Sequence, residues 1–96
     1  MALAFLWRWL MRAPKRRADW HVVVYTRATC PLCDEALAVL RRFQDRHGFT
    51  IETRNVDDAA DWVREFGEWV PVVVINGVVR FRGQVNEVLL RRMLEK

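Results

Sequence analysis

The chain has 96 residues, of which 52% are hydrophobic and 29% are charged, and its formal net charge is +4. This composition is that of one small globular domain, and it excludes a disordered or fibrous protein and leaves no room for a separate substrate domain. Five cations and no acids lie in residues 1–17, so residues 18–96 carry 11 basic and 12 acidic side chains. The nearly neutral domain therefore gives no support to nucleic-acid binding.

Residues 1–19 precede the predicted domain, which we expect to span residues 20–96. A secretory signal has its positive charge before its apolar run, whereas here the basic cluster follows. No segment reaches the ~20 apolar residues that a membrane span needs. Four apolar side chains of this leader share one face at helical spacing: Leu3, Leu6, Trp7 and Leu10. We expect a disordered leader or a short amphipathic helix, whose residues 1–17 could contact an anionic membrane surface weakly.

The first predicted strand and helix follow this leader. The apolar run HVVVYT, residues 21–26, predicts a strand buried on both faces. Pro31 suits the first turn of a helix that ends at the basic pair Arg46 and His47, before Gly48. The helix presents an apolar stripe of Leu32, Ala36, Leu37, Leu40 and Phe43.

The middle of the chain predicts a weaker strand and a shorter helix. FTIETRNV, residues 49–56, alternates apolar and polar side chains, which is typical of a half-buried or edge strand. Asp57 or Asp58 could cap the helix that follows, and Gly67 ends it. Its expected inward residues are Trp62, Val63 and Phe66.

The last third of the chain predicts a hairpin and a helix. Two apolar runs, residues 72–75 and 78–81, are joined by Asn76-Gly77, a strong hairpin signal. The final helix starts at about Asn86, and its expected inward residues are Val88, Leu89 and Met93. The order β-α-β-α-β-β-α predicts an α/β fold in which helices flank one four-stranded mixed sheet, because a crossover makes the first two strands parallel.

The two cysteines, Cys30 and Cys33, lie where the first strand turns into the first helix. Unpaired N–H groups at a helix start favour a thiolate, which is the attacking species in disulfide exchange. Cys30 is therefore the candidate nucleophile, and Cys33, one turn later, could close a disulfide with it and resolve a mixed disulfide. Pro31 stiffens the turn between them.

Charged neighbours act on this pair in opposite directions. Arg27 adds a positive charge that favours the Cys30 thiolate, whereas Asp34 and Glu35 oppose it. A lone CxxC fits a reducing cytoplasm, because a secreted protein of this size would carry several spaced cysteine pairs.

Two other interpretations of the CxxC stay open at this point. A structural zinc site needs four ligands, and the only histidines, His21 and His47, do not form a second ligand pair with motif spacing. We therefore expect no metal site and no bound cofactor. An inert, buried cysteine pair is the other alternative.

The motif VVVYTRATCPLCDEAL, followed by WVPVVVINGVVRFRG, resembles the glutaredoxin branch of the thioredoxin superfamily. The resemblance extends over residues 21–95 and is strongest to small bacterial glutaredoxin-like proteins with a CxxCDEA start. It implies the thioredoxin-like fold and a thiol–disulfide oxidoreductase that reduces protein or glutathione mixed disulfides. Cys30 and Cys33 would form the redox-active disulfide, and glutathione or another thiol would serve as the external reductant.

The resemblance also assigns residues around the pair. Pro71 would be the cis-proline that faces the cysteines, and the backbone of Val70 would pair with an extended substrate. Arg27 and Gly83 match positions that face glutathione, and Trp69 could stack on a substrate.

Four residues depart from the family pattern: Leu32, Trp69, Arg82 and Asn86 stand where glutaredoxins usually have an aromatic residue, threonine, glycine and aspartate. These departures predict weak activity on small glutathione mixed disulfides and better activity on a protein disulfide. An iron–sulfur or metal carrier that uses Cys30 and a redox-silent binding module are the alternative functions.

Overall fold

A computed structural model describes residues 15–96, and the predictions made for residues 1–14 lie outside this range. The elements follow the predicted order: β1 (His21–Thr26), α1 (Pro31–His47), β2 (Thr50–Asn55), a 3₁₀ turn (Val56–Asp58), α2 (Ala60–Phe66), β3 (Val72–Ile75), β4 (Val78–Arg82) and α3 (Glu87–Glu95). Within this range no helix is long and apolar enough to cross a membrane.

The four strands form one mixed sheet in the order β2-β1-β3-β4. β1 and β2 are parallel, whereas β3 is antiparallel to both β1 and β4. Asn76 and Gly77 join β3 to β4 with φ angles of 51° and 82°. The predicted α/β fold, with its parallel first pair, its edge strand β2 and its C-terminal hairpin, is confirmed.

Each face of the sheet covers its own apolar core, which explains the uninterrupted apolar run of β1. Val22 and Val24 point into the larger core, with the buried residues of α1 and α3. Val23 and Tyr25 point into the smaller core, where they meet Phe66 of α2. Because successive side chains of a strand alternate between faces, a strand covered on both sides must be apolar throughout.

Helix α1 begins and ends as predicted, but one residue of its expected stripe is not inside. Pro31 is its first residue, and Gly48 follows its end with a φ of 80°, in the left-handed region that favours glycine. Leu32 is exposed, and Cys33 takes the buried position in this first turn. The periodic pattern placed Leu32 in the inward stripe because its side chain is large and apolar. In the structure, the side chain of Cys33 points inward instead.

Helix α2 starts later than predicted and without an aspartate cap. Residues Val56–Asp58 form a separate 3₁₀ turn, which Asn55 caps by accepting the N–H of Asp57. Ala59 then precedes the helix and offers no side-chain cap. The prediction of Asp57 or Asp58 as the cap was wrong, as was the inward position of Val63, which is exposed.

Helix α3 has the predicted boundaries but a rotated face. Asn86 is its N-cap and accepts the N–H of Leu89 at 3.1 Å. Leu90 and Leu94 are fully buried together with the partly buried Met93, whereas Val88 and Leu89 are exposed. The expected inward positions of Val88 and Leu89 were wrong, because Leu90 and Leu94 are the residues of α3 that are buried in the larger core.

Residues 15–17 lie against the last turns of α1 and α3. The N–H of Arg17 donates to the carbonyl of His47 at 2.7 Å, and its side chain donates to the carbonyls of Leu94 at 2.9 Å and Lys96 at 2.5 Å. The ammonium of Lys15 also donates to the Lys96 carbonyl. We call this part of the molecule, formed by the last turns of the two helices and residues 15–17, the helix-terminus end.

Candidate functional site

The loop between β1 and α1 presents the cysteine pair. Thr29 has a φ of 55°, and this tight turn brings Cys30 to the N-cap position of α1. Cys30 and Cys33 are joined as a disulfide, with their Cα atoms 5.2 Å apart. The one-turn spacing therefore brings the two sulfurs together, as the sequence indicated.

The two cysteines differ in exposure and in hydrogen bonding. Cys33 is only 2% exposed, whereas Cys30 is half-buried at the open end of the helix. The Sγ of Cys30 accepts the backbone N–H of Cys33 at 3.2 Å. A sulfur that caps a helix start in this way faces the positive end of the helix dipole, which favours a negative charge on that atom.

Pro71 and Gly83 lie at the same edge of the sheet as the cysteine loop. Val72 pairs with Tyr25, so Pro71, one residue earlier, lies level with the end of β1 from which the loop leaves. The Val70–Pro71 bond is cis, and Pro71 is fully buried. The N–H of Gly83 donates to the carbonyl of Pro71 at 2.8 Å, which ties the end of β4 to this edge. We call this edge, with Cys30, Cys33, the Val70–Pro71 bond and Gly83, the disulfide end.

The backbone of Val70 is left without a partner among the described residues. The N–H of Gly83 also donates to the carbonyl of Trp69 at 2.9 Å, so its two contacts lie on either side of Val70. Within residues 15–96, the Val70 N–H and C=O take part in none of the hydrogen bonds. The Trp69 side chain next to it is 54% exposed. Free backbone groups beside an exposed aromatic ring are available for pairing with an extended chain.

The guanidinium of Arg27 is bound by neighbouring groups and is therefore not a free cation. Its Nε and one terminal nitrogen each donate to a carboxylate oxygen of Asp57 at 3.0 Å, and its other terminal nitrogen donates to the carbonyl of Gly67 at 3.0 Å. The hydrogen bonds to Asp57 raise the pKa of Arg27 above its ordinary value, so the guanidinium stays charged at any working pH. Its charge is nevertheless shared with a carboxylate, which weakens the pull on Cys30 that the sequence predicted.

The sequence did not indicate a shallow groove that runs beside the disulfide between α1 and the start of α3. Its volume is about 140 Å³, and it is lined by Leu32, Glu35, Ala36, Val39, Gln84, Val85 and Glu87. Glu87 forms an ion pair with Arg42, whereas Glu35 has no ion-pair or hydrogen-bond partner among residues 15–96. The sequence carried no signal for this groove, because the apolar pattern had assigned Leu32 to the inward stripe of α1.

Neither histidine lies where it could complete a metal site with the cysteines. His47 is 1% exposed at the far end of α1, with its Nδ1 2.5 Å from the carbonyl of Lys15. His21 is at the start of β1, the end of that strand opposite the cysteine loop. Among residues 15–96, no three His, Cys, Asp or Glu side chains are grouped to hold a metal ion.

Comparison with known proteins agrees with this geometry. Residues 21–95 match the family model described as "Glutaredoxin-like domain (DUF836)". The chain is 36% identical over 66 residues to a "Probable Thioredoxin" of Methanothermobacter thermautotrophicus, an alignment covering 66% of this chain and 78% of the relative. A "Probable Thioredoxin" of Methanothermobacter marburgensis is 35% identical over 65 residues, covering 65% of this chain and 76% of that relative.

Proposed function

The chain belongs to the glutaredoxin-like family, and from that premise we propose that it is a dithiol oxidoreductase that reduces protein disulfides in the cytoplasm. The Cys30–Cys33 pair at the start of α1 is the observation that carries the proposal. A reversible pair needs two sulfurs within bonding reach, of which one is accessible and one protected. Cys30 and Cys33 meet these requirements.

The reaction is an exchange of one disulfide for another. The Cys30 thiolate attacks a sulfur of the substrate disulfide, a mixed disulfide forms, and the substrate's other sulfur leaves as a thiolate that takes a proton. The Cys33 thiolate then attacks the Sγ of Cys30 and releases the second substrate thiol. The protein is left with the Cys30–Cys33 disulfide, which an external dithiol, or two molecules of a monothiol such as glutathione, reduces. No bound cofactor takes part.

The surroundings of Cys30 support the assignment of roles. A thiolate on Cys30 would keep the hydrogen bond from the Cys33 N–H, which becomes stronger when its acceptor is charged. Pro31 sets the first turn of α1 and so the distance between the sulfurs. Asp34 and Glu35 are exposed in the same region, where solvent screens their repulsion of the thiolate.

An extended segment of the substrate would pair with the Val70 backbone and lie across Trp69 and Gly83. The partner-free N–H and C=O of Val70 support this step. Gly83 leaves space, because a Cβ placed there would meet no atom within 4 Å. The groove beside Leu32, whose lining is partly apolar and partly polar, supports a protein substrate further, because a side chain next to the substrate's cysteine could enter it.

Two observations favour a protein disulfide over a small glutathione mixed disulfide. Glutathione offers carboxylates and an amine, and Arg27 is already bound by Asp57. Asn86, where the family usually has an aspartate, accepts the N–H of Leu89 as the cap of α3 and carries no charge for an amine.

The test is a comparison of two substrates with one external dithiol reductant. We expect faster reduction of a protein disulfide than of a glutathionylated peptide. Equal or faster reduction of the glutathionylated peptide would contradict the substrate preference while leaving the dithiol chemistry intact. Failure to reduce either substrate faster than a Cys30→Ser variant would reject the oxidoreductase and favour a redox-silent binding module.

A further inference from the structure

A second pocket lies between the same two helices, next to the groove beside Leu32, and Glu87 in the first turn of α3 lines both. Its volume is about 170 Å³, and it is lined by Arg42, Phe43 and Arg46 of α1 and by Glu87 and Arg91 of α3. Glu87 is paired with Arg42, so this one carboxylate faces three guanidinium groups. Like charges four residues apart on a helix, such as Arg42 and Arg46, destabilise it slightly. A pocket with this excess of cations is suited to an anion.

The positive charge around this pocket continues toward the helix-terminus end. Three further exposed cations lie in the last turns of α1 and α3 or beside the pocket residues: Arg41, Arg92 and Lys96. The acids in the same stretches are Asp45 and Glu95. Within residues 15–96, the structure shows no ion pair for Arg46, Arg91 or Arg92. The charges of these guanidinium groups are therefore not neutralised by a carboxylate, and that of Arg91 lies over the Phe43 ring, 5.9 Å from its centroid.

The cations that donate hydrogen bonds to the free carbonyls at the helix ends are not the arginines of the pocket. Lys15 and Arg17 donate to the last carbonyls of α3, and Arg17 closes the end of α1 through its N–H. A basic side chain at a helix C-terminus is ordinarily explained by such contacts with the dipole. Arg46 lies in the last turn of α1 and shares that explanation, whereas Arg42 and Arg91 lie outside the last turns of their helices and do not.

We infer that the face of α1 and α3 that carries Arg42, Arg46 and Arg91, together with the adjoining helix-terminus end, is a docking surface for an anionic lipid bilayer, with headgroup phosphates bound in the pocket. The chain that leads into Lys15 supplies the second argument for this partner. Residues 1–17 contain five cations and no acid, together with the apolar residues Leu3, Leu6, Trp7 and Leu10. A bilayer offers phosphate to the cations and an apolar boundary to the leucines and tryptophan, whereas a nucleic acid backbone offers only phosphate.

Docking in this orientation would leave the disulfide free. α1 has 17 residues, so at ~1.5 Å per residue its two ends are roughly 25 Å apart. Arg42 and Arg46 come 12 and 16 residues after Cys30, so they would hold the bilayer roughly 18–24 Å along the helix from the cysteines. The inference does not depend on the redox chemistry, and replacing Cys30 would leave it unaffected.

The test is co-sedimentation of the full chain with vesicles. The two vesicle types are phosphatidylcholine alone and phosphatidylcholine with about one third phosphatidylglycerol, at about 0.1 M salt. The variant Arg46→Gln/Arg91→Gln removes two pocket cations. Arg64→Gln/Arg80→Gln is the matched control, because it removes the same charge from exposed positions on α2 and β4. Thermal melts of both variants verify that each is folded.

We expect binding to the anionic vesicles only. A basic side chain near such a surface contributes ~1 kcal/mol, so the pocket variant, which loses two, should bind roughly thirtyfold more weakly and the control within about twofold of the unmodified chain. Equal binding to both vesicle types, equal weakening by both variants, or unchanged binding by the pocket variant would each overturn the inference. Tighter binding to a DNA duplex through the same two arginines would also overturn it, and would assign the surface to nucleic acid.

Discussion

Helices α1 and α3 both begin at the disulfide end and finish at the helix-terminus end, and their two ends carry opposite chemistry. At the disulfide end, Cys30 and Asn86 place acceptor atoms on the free N–H groups of the helix starts. At the other end, Lys15 and Arg17 place donors on the free carbonyls. The polarity of the backbone thus favours an anionic sulfur at one end and cations at the other. The difference shows that a helix pair can separate a reactive site from a charged surface without a second domain.

The largest effect is expected at the disulfide end. In the Cys30→Ser variant, the rate of substrate disulfide reduction should fall to the uncatalysed background, because the attacking sulfur is lost. Cys33→Ser should still form a mixed disulfide with the substrate and fail to release it, because the resolving thiol is lost. The measurement is the rate of substrate reduction combined with mass spectrometry of trapped adducts. Arg64→Gln, on the outer face of α2, is the control and should retain the full rate.

Trapping on the wrong cysteine would contradict this assignment. If Cys30→Ser accumulated the mixed disulfide instead, Cys33 would be the nucleophile despite being 2% exposed. Pulsed alkylation of the reduced chain gives an independent answer, since Cys30 should be labelled first.

The second prediction concerns the larger apolar core, which lies between the disulfide end and the helix-terminus end. Leu90→Ala should lower the free energy of unfolding by about 2–5 kcal/mol, because Leu90 is fully buried between α3 and the sheet and its removal leaves a cavity. Leu89→Ala, one residue earlier and 48% exposed, should change it by less than about 0.5 kcal/mol. Urea unfolding of both variants measures the difference. A larger loss for Leu89→Ala would mean that α3 is rotated from the described position.

This pair of leucines also shows where sequence reasoning fails. Apolar residues 88, 89, 90, 93 and 94 of α3 are compatible with more than one inward face, and only the packing against the larger core, which includes β1, selects among them. The strands and the parallel first crossover were predictable, because the run HVVVYT and the Asn76-Gly77 turn allow few alternatives. Local signals decide an element's type, whereas its rotation depends on contacts from distant parts of the chain.

The same division holds at the site. The spacing of Cys30 and Cys33 after a buried strand was enough to predict their contact, because both lie within one helical turn. The pairing of Arg27 with Asp57 was not predictable, since it joins residues 30 positions apart through a 3₁₀ turn that the pattern had assigned to a helix start. The groove beside Leu32 needs α1 and α3 side by side, and no local pattern encodes that distance.

A third, smaller effect tests the start of α3. Asn86→Ala should lower the free energy of unfolding by about 1 kcal/mol, because the Leu89 N–H loses its acceptor.

Asn86→Asp keeps the acceptor, adds a charge that the helix start favours and should be at least as stable as the unmodified chain. It should also speed reduction of a glutathionylated peptide, since the added carboxylate can pair with the glutathione amine. Unchanged peptide rates in a stable Asn86→Asp protein would show that residue 86 does not limit the use of glutathione.

The smallest effect is expected at the other end of the same helix. Arg17→Gln removes the charge that contacts the Leu94 and Lys96 carbonyls, but its backbone N–H still donates to His47. Charge at a helix end contributes about 0.3–1 kcal/mol, so the loss of unfolding free energy should be smaller than for Asn86→Ala.

The losses caused by Arg17→Gln and Asn86→Ala should also differ in their response to salt, because salt screens the arginine contribution and leaves the neutral asparagine cap unaffected. Chemical unfolding in urea at low and at high salt separates them. An Arg17→Gln loss that does not shrink with added salt would mean that Arg17 acts by packing and hydrogen bonding alone, and the opposite electrostatics of the two helix ends would then not extend to this residue.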